Sequence, residues 1–322
     1  MLCLGHPWLC HLYQAVSASA SLQCQGTPIL PAAPSGHLSV TFVDTENGTE
    51  KSTCASWALC QFPDTGSEST TKRSSPKGKW KKNKNTKLHS CFFCCSFQSP
   101  SFLGYPFKHC AVVGNGGILK NSSCGAEIDN SDFVFRCNLP PTTGSISKDV
   151  GKKTNLVTVN PSIIAQKYNK LNERKVTFLE NIASYGNSFL LLPAFSFKSN
   201  TAASFKVYHT LQEFSAKQRA IFFHPRYLKS LAQFWRTKGV KAYRLSSGFM
   251  IASAAVELCE NVKLYGFWPF SKTTEEIPIS HHYYDNQLPK PGFHAMPKEY
   301  NQILQLHGKG ILKVQFGKCD SD

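Results

Sequence analysis

From about residue 100 onward, short apolar runs alternate with amphipathic stretches along the chain. Each run is three to six residues long, and glycine, proline or asparagine often follows it. Short apolar runs of this kind are typical of strands buried on both faces of a sheet. The predicted strands are Ala111–Val113, Phe133–Phe135, Leu156–Val159, Ser188–Pro193, Ala220–Phe223 and Val262–Phe267. The alternation predicts one doubly wound α/β domain over residues 100–322.

Helical patterns fill several of the intervals between these strands. The sequence predicts helices over Pro161–Leu179 and Arg226–Lys238, and the second has apolar residues on one face. A small-residue helix ending near Leu258 precedes the last predicted strand. A further helix-like segment follows the turn Gly114–Gly117.

Residues 1–99 have no sustained helical or strand period, and we predict that they are disordered or not native to the domain. Eight of the sixteen residues in 72–87 are Lys or Arg. We interpret this run as solvated, with a nuclear-import or nucleic-acid-binding tail as the alternative. The chain has a net charge of +16, and the positive charge that lies outside this run suits a protein that handles anionic ligands.

Polar residues follow three of the predicted strands. The turn Gly114–Gly117 follows the first, Asn138 lies just after the second, and Asn160 follows the third. This pattern predicts a nucleotide site at the carboxyl edge of a parallel sheet. A dinucleotide fingerprint is the alternative, but it requires a third glycine where Leu119 stands, and an acidic residue about 20 positions further on. The chain has neither feature, which argues against a dehydrogenase.

Three later blocks contain residues suited to binding anions and moving protons. Ser246, Ser247 and Gly248 precede the small-residue helix, and a helix N-terminus favours anions, although a simple N-cap is the alternative. The block 281–286 contains two adjacent histidines, and in the block 292–299 a histidine is followed five residues later by a glutamate. A lone histidine is more often structural than catalytic.

In their order along the chain, these four blocks resemble the large, small, third and very small motifs of sialyltransferases, glycosyltransferase family 29. The resemblance covers roughly residues 105–319. The segment Val112–Asn121 looks most like the α2,8 branch, and within it the type VI group, with types I and V as alternatives. Ser247 stands where the family usually has threonine. The resemblance implies a modified glycosyltransferase A-type α/β/α sandwich with a twisted, mostly parallel central sheet.

The resemblance also implies an activity and a site. A member of this branch transfers sialic acid from CMP-sialic acid to the 8-hydroxyl of a terminal sialic acid on a glycoprotein or ganglioside, with inversion. His294 would be the general base, His282 would face the departing phosphate, and Glu299 would orient or stabilise that region. The implied donor-binding residues are Asn115, Asn138, Asn160, Ser246, Ser247, Gly248, Phe267 and Trp268.

We expect no metal and no cofactor, because CMP leaves as a monophosphate that basic side chains and helix-end amides can hold. The Asp-x-Asp pair of metal-dependent nucleotide-sugar transferases occurs here only in the last three residues. Cys91-x-x-Cys94-Cys95 has zinc-like spacing but no second pair of ligands.

Among the thirteen cysteines, the family resemblance implies the disulfides Cys110–Cys259 and Cys124–Cys319, with Cys137 free. Sequons at Asn47 and Asn121 fit a lumenal chain. The resemblance implies residence in the Golgi lumen or Golgi membrane, yet no 18-residue apolar run predicts a transmembrane anchor.

We expect no nucleic-acid partner, and a homo-oligomer is compatible with the sequence. The alternative function is a catalytically impaired, truncated variant that only binds a glycan or a partner protein. It is motivated by residues 1–99, in which the anchor and stem of family members are not recognisable.

Overall fold

The computed structural model describes residues 59–61, 106–194, 198–223, 225–288 and 294–319. The basic run 72–87, the Cys91–Cys95 cluster and the Asn47 sequon lie outside these ranges. Of the segment 1–99, only Leu59–Gln61 is described, and it forms a strand. The prediction of disorder for the rest of that segment stays a prediction.

An eight-stranded sheet forms the centre of the molecule, in the order β1-β6-β5-β4-β3-β2-β7-β8. Strands β2 to β8 are parallel to one another, and β1 pairs antiparallel with β6 at one edge. The strands are β1 Leu59–Gln61, β2 Phe107–Val113, β3 Phe133–Arg136, β4 Leu156–Thr158, β5 Phe189–Leu192, β6 Arg219–Phe223, β7 Cys259–Tyr265 and β8 Lys313–Val314.

Helices cover both faces of this sheet, so the chain forms an α/β/α sandwich. The helices are α1 Gly125–Asp129, α2 Ser147–Val150, α3 Pro161–Gln166, α4 Lys175–Ala183, α5 Lys198–Glu213, α6 Pro225–Thr237, α7 Ser247–Leu258 and α8 Met296–Gly308. Apolar residues of α6, α7 and α8 pack on one face, and those of α3, α4 and α5 pack on the other. The central strands are buried on both faces, which explains why they appear in the sequence as unbroken apolar runs.

The predicted helix Pro161–Leu179 is wrong as a single element, because it is divided into α3 and α4. Asn169, Lys170 and Leu171 between them have φ values of 46°, 54° and 56°, in the left-handed region. Asparagine enters this region more readily than most residues, so the break starts at a permissive position. The turn buries Tyr168 and Leu171 completely. The segment after Gly114–Gly117 is a short 3-10 helix, Gly117–Leu119.

Two disulfides connect distant parts of the chain. Cys110 of β2 is bonded to Cys259 of β7, and Cys124 is bonded to Cys319, 195 residues further on. Both pairs are those implied by the family resemblance. Cys137 is a buried free thiol, and its burial raises the pKa to about 12. No helix among the described residues is long and apolar enough to span a membrane.

Candidate active site

The site lies where the strand order changes direction. The chain builds the sheet outward from β2 to β6 and then returns to place β7 on the other side of β2. Crevices at the carboxyl ends of strands on either side of such a reversal are the usual ligand sites of α/β sheets. A cavity of about 260 Å³ lies there, and all eleven residues predicted to bind the donor or catalyse transfer line it.

The glycines after β2 allow that strand to end in contact with the end of β7. The Gly114 amide donates to the Tyr265 carbonyl at 2.7 Å, and the Gly116 amide donates to the Gly266 carbonyl at 3.0 Å. A Cβ atom at Gly116 would lie 2.6 Å from the Gly266 oxygen, so no side chain fits without displacing the backbone. Gly266 has a φ of 69° and directly follows β7. The turn therefore joins two strand ends.

Asn115 lies between the ends of β2 and β3. Its Nδ2 donates to the Cys137 carbonyl at 3.0 Å and to the Tyr284 hydroxyl at 3.3 Å. These bonds orient the amide and leave Oδ1 buried, without a hydrogen-bond partner among the described residues. A buried acceptor without a partner is costly. A hydrogen-bond donor on a ligand would satisfy it.

The other two asparagines form a chain of hydrogen bonds that ends at α7. Asn138 has a φ of 59°, and its Oδ1 accepts the Asn160 amide at 3.2 Å. Asn160 in turn donates from Nδ2 to the Ser247 hydroxyl at 3.1 Å. The ends of β3 and β4 are thereby fixed relative to the first turn of α7.

The N-terminus of α7 opens into the cavity. The Ser246 hydroxyl accepts the Phe249 amide at 3.1 Å as the N-cap, so both interpretations of this turn from the sequence are compatible. The other amides of the first turn have no partner within the helix and attract anions. The backbone amide of Ser246 donates to the carboxylate of Glu299 at 2.9 Å.

Glu299 is almost completely enclosed, with 2% of its surface exposed. This burial raises its pKa, while the hydrogen bonds from Ser246 and the proximity of His294 oppose the rise. The contact with the Ser246 amide gives this side chain a positioning role for the α7 terminus.

His294 has a defined ring orientation. Its Nδ1 lies 2.9 Å from the Arg244 carbonyl oxygen. Because a carbonyl can only accept, Nδ1 carries the proton, and in the neutral ring Nε2 has a lone pair. An imidazole in this tautomer can remove a proton from a ligand hydroxyl that reaches Nε2.

The ring of His282 is held by a carboxylate and not, like that of His294, by a backbone carbonyl. Its Nδ1 lies 2.6 Å from Asp285 Oδ1, and its ring stacks on Tyr284 with 5.1 Å between centroids. Burial alone would raise the pKa of Asp285, but hydrogen bonds from the Gln287 amide and from His282 outweigh it and hold this pKa below its usual value. Burial and the adjacent His282 lower the pKa of His281, whose ring contacts that of His282.

Two aromatic side chains after β7 complete the walls. The Phe267 ring packs close to Gly248, where an added Cβ would lie 3.3 Å from it. Trp268 donates from Nε1 to the Lys272 carbonyl at 2.7 Å and contacts the rings of Phe270 and Tyr300. These contacts fix the indole against α8.

Sequence reasoning missed three contributors to the site. Asp285 holds His282, the Arg244 carbonyl fixes the tautomer of His294, and Tyr284 contacts both His282 and Asn115. Asp285 follows His282 by three residues within the same motif, and that spacing was the available signal. A backbone carbonyl leaves no such signal. In the described part of the chain, no three His, Cys, Asp or Glu side chains gather as metal ligands.

The sequon asparagine Asn121 lies on the surface, away from the cavity. It is exposed, with a φ of 62°, and its amide donates to Asp149 at 2.9 Å. The side chain is therefore accessible to modification.

Comparisons with known proteins identify the family to which this chain is similar. The family model of glycosyltransferase family 29 (sialyltransferase) matches residues 63–311. The human α-2,8-sialyltransferase 8F is 72% identical over 222 residues, which cover 69% of this chain and 56% of that protein. A bovine α-N-acetylneuraminide α-2,8-sialyltransferase is 51% identical over 67% of this chain and 61% of its own length.

The chain thus spans little more than half the length of the curated relatives that it matches. Among solved structures, a mammalian sialyltransferase in complex with Gal-β-1-3GalNAc-ortho-nitrophenol is 24% identical, with a TM-score of 0.47. That similarity covers 66% of this chain and 70% of the other. On the family match and the identity to curated relatives, the chain belongs to glycosyltransferase family 29, the sialyltransferases.

Proposed function

We propose that this chain transfers sialic acid from CMP-sialic acid to the 8-hydroxyl of a terminal sialic acid on a glycoprotein or ganglioside glycan. The reaction inverts the anomeric carbon and uses no metal or cofactor. One observation carries the proposal: a single cavity brings together a histidine with an available Nε2, a carboxylate-held histidine and a helix N-terminus. The α2,8 linkage rests on the names of the relatives to which the chain is similar.

In this mechanism His294 is the base. Its Nε2 accepts the proton of the acceptor 8-hydroxyl while that oxygen forms a bond to the anomeric carbon of the donor. The bond between the anomeric carbon and the phosphate oxygen breaks, and its electron pair leaves with CMP. The Arg244 carbonyl stabilises the resulting imidazolium, because the Nδ1–H bond persists when the ring becomes charged.

His282 stabilises the leaving group. The Asp285 carboxylate accepts from Nδ1–H and fixes the orientation of the His282 ring. In its doubly protonated form this ring donates from Nε2–H to the departing phosphate. The amides at the start of α7 provide further donors for the phosphate and the donor carboxylate. Such preformed donors can replace the metal ion that a diphosphate leaving group requires.

The three asparagines and the aromatic walls bind the nucleotide. Asn115 Oδ1 has no hydrogen-bond partner in the described part of the chain and is suited to accept from a ribose hydroxyl or the cytosine amino group. Phe267 and Trp268 offer apolar surface to the nucleoside. We also propose a lumenal location in the Golgi, which the two disulfides support because disulfides persist in oxidising compartments.

The test is acceptor-dependent release of CMP by the purified chain, supplied with CMP-sialic acid and a sialylated acceptor. His294→Ala should lower kcat by about 10²–10⁴-fold while binding of CMP persists. His307, a histidine of α8 outside the cavity lining, provides the matched control in His307→Ala.

Two outcomes would count against the mechanism or the activity. Near-normal turnover in a folded His294→Ala protein would remove the base assignment. Tight CMP binding by the unsubstituted chain without any transfer would favour the alternative, a variant that only binds glycans or partners.

A further inference from the structure

We propose that a second groove, next to the donor cavity, binds the uncharged inner sugars of the acceptor glycan. The groove has a volume of about 700 Å³ and lies between the loop 140–143, helices α3 and α4, and the segment 282–287. This inference rests on the proposed function, because it extends the same site outward along the acceptor.

The position of the groove connects it to the reaction centre. Asn138 and His282 line both the groove and the donor cavity, so the two spaces meet at these side chains. The donor cavity has a volume of about 260 Å³, and the groove adds about 700 Å³ beyond the shared side chains. The groove is the adjoining space for the rest of an acceptor chain.

One buried hydroxyl indicates that the groove receives a hydrogen-bonding ligand. Thr142 is 1% exposed and lines the groove, and its Oγ1 has no hydrogen-bond partner among the described residues. Buried polar atoms in folded proteins nearly always have a partner. A sugar hydroxyl, which can both donate and accept, would provide one.

The wall that contains Thr142 is fixed before any ligand arrives. The hydroxyl of Tyr185 donates to the Pro140 carbonyl at 2.5 Å, and that of Tyr283 donates to the Pro141 carbonyl at 2.7 Å. Two buried tyrosines thus hold the backbone just before Thr142. A preformed wall lowers the entropy cost of binding a flexible glycan.

The chemistry of the lining favours uncharged sugars. Most of its polar side chains are hydroxyls and amides, among them Thr143, Ser162, Gln166 and Asn181. Its charged side chains are one lysine, Lys167, and two carboxylates, Glu180 and Asp285, the second of which is engaged with His282. A lining of mostly neutral donors and acceptors without an excess of positive charge suits hexoses and hexosamines better than a second sialic acid or the CMP phosphate.

The experiment compares a long and a short acceptor. Initial rates are measured with α2,3-sialyllactose, which has two neutral hexoses, and with methyl α-sialoside, which has none. Thr142→Val retains the shape of the side chain and removes the hydroxyl for which the described residues provide no hydrogen-bond partner. The ratio of KM for sialyllactose to KM for the methyl sialoside should rise about 3- to 10-fold, which is the effect expected from the loss of one neutral hydrogen bond. Gln166→Ala should raise the same ratio.

The matched control is Asn187→Ala, which removes an exposed amide just after α4 and outside the groove. It should leave both KM values unchanged. Thermal unfolding checks that Thr142→Val is at least as stable as the parent, because it buries no new polar group.

Two results would overturn the proposal. In the first, the KM ratio stays constant in both groove variants. In the second, the variants raise KM for CMP-sialic acid instead, which would assign the groove to the donor. Calorimetric titration of sialyllactose into the donor-free proteins needs no transfer, so it tests the groove even if the proposed function fails. Equal affinity of the parent and Thr142→Val proteins in that titration would also overturn the assignment.

Discussion

Two substitutions of Glu299 distinguish a positioning role of its side chain from a catalytic one. Its carboxylate accepts the Ser246 amide at 2.9 Å inside a site that exposes only 2% of the side chain. Glu299→Gln keeps an oxygen that can accept this N–H, whereas Glu299→Ala removes it. A positioning role predicts that the glutamine variant retains most of the activity and that the alanine variant loses it.

The size of the difference follows from the partly buried hydrogen bond between the Ser246 amide and Glu299. A buried N–H without a partner costs about 1–3 kcal/mol, which corresponds to roughly 5- to 150-fold in an equilibrium constant. Because this amide lies at the N-terminus of α7, which lines the donor cavity, we expect Glu299→Ala to raise KM for CMP-sialic acid by a factor within this roughly 5- to 150-fold range. Glu299→Gln exchanges a charged acceptor for a neutral one, a difference of about 1 kcal/mol, and should remain within about tenfold of the parent.

The assay measures kcat and KM for CMP-sialic acid together with the thermal unfolding midpoint of each variant. Glu260, an exposed glutamate on β7, provides the matched pair Glu260→Gln and Glu260→Ala, which should both behave like the parent. If folded Glu299→Gln is as inactive as Glu299→Ala, the positioning role is refuted, because the negative charge itself is then required.

Three further predictions concern pH, leaving-group stabilisation and cross-linking. Burial raises the pKa of Glu257 to about 8, which favours its neutral form in the folded protein, so stability is lost as pH rises from about 4.5 through 8. Glu257→Gln should reduce this fall of the thermal unfolding midpoint with pH, and an unchanged slope of midpoint against pH would contradict the prediction. Asp285→Asn should lower kcat about 5- to 30-fold by replacing a charge-assisted bond to His282 with a neutral one, and an unchanged kcat would argue against the leaving-group role. Replacing Cys124 and Cys319 by serine opens a 195-residue loop and should lower the free energy of unfolding in urea by up to about 5 kcal/mol, whereas a loss below about 1 kcal/mol would mean that the link is dispensable.

The sequence alone was enough to predict the α/β class and most of the strands. Strands buried on both faces must be apolar along their whole length, so β3, β5 and β6 are visible as apolar runs. The first residues of β2 were missed, because Lys108 and His109 are exposed and polar although their backbone pairs with β7. Helix α5 was also missed, since its mixed composition has no clear amphipathic period.

The residues of the site could be named from the sequence because their motifs are local. Each motif keeps its spacing along the chain, so His282, His294 and Glu299 are recognisable without coordinates. The partners of these residues are distant in the chain and could not be named. His294 is oriented by a carbonyl 50 residues earlier, and Glu299 by an amide 53 residues earlier.

The sequence by itself determined the family, the alternation of strands and helices, and the residue types that enter the cavity. Only the tertiary structure decided what the glycine turn does. Gly114 and Gly116 are required because β7 lies against them, with the Gly266 oxygen where a side chain would otherwise be. Close approach between segments 150 residues apart depends on the whole sheet, and no local pattern encodes it. The second groove, with the buried hydroxyl of Thr142 in its wall, likewise exists only once the chain is folded.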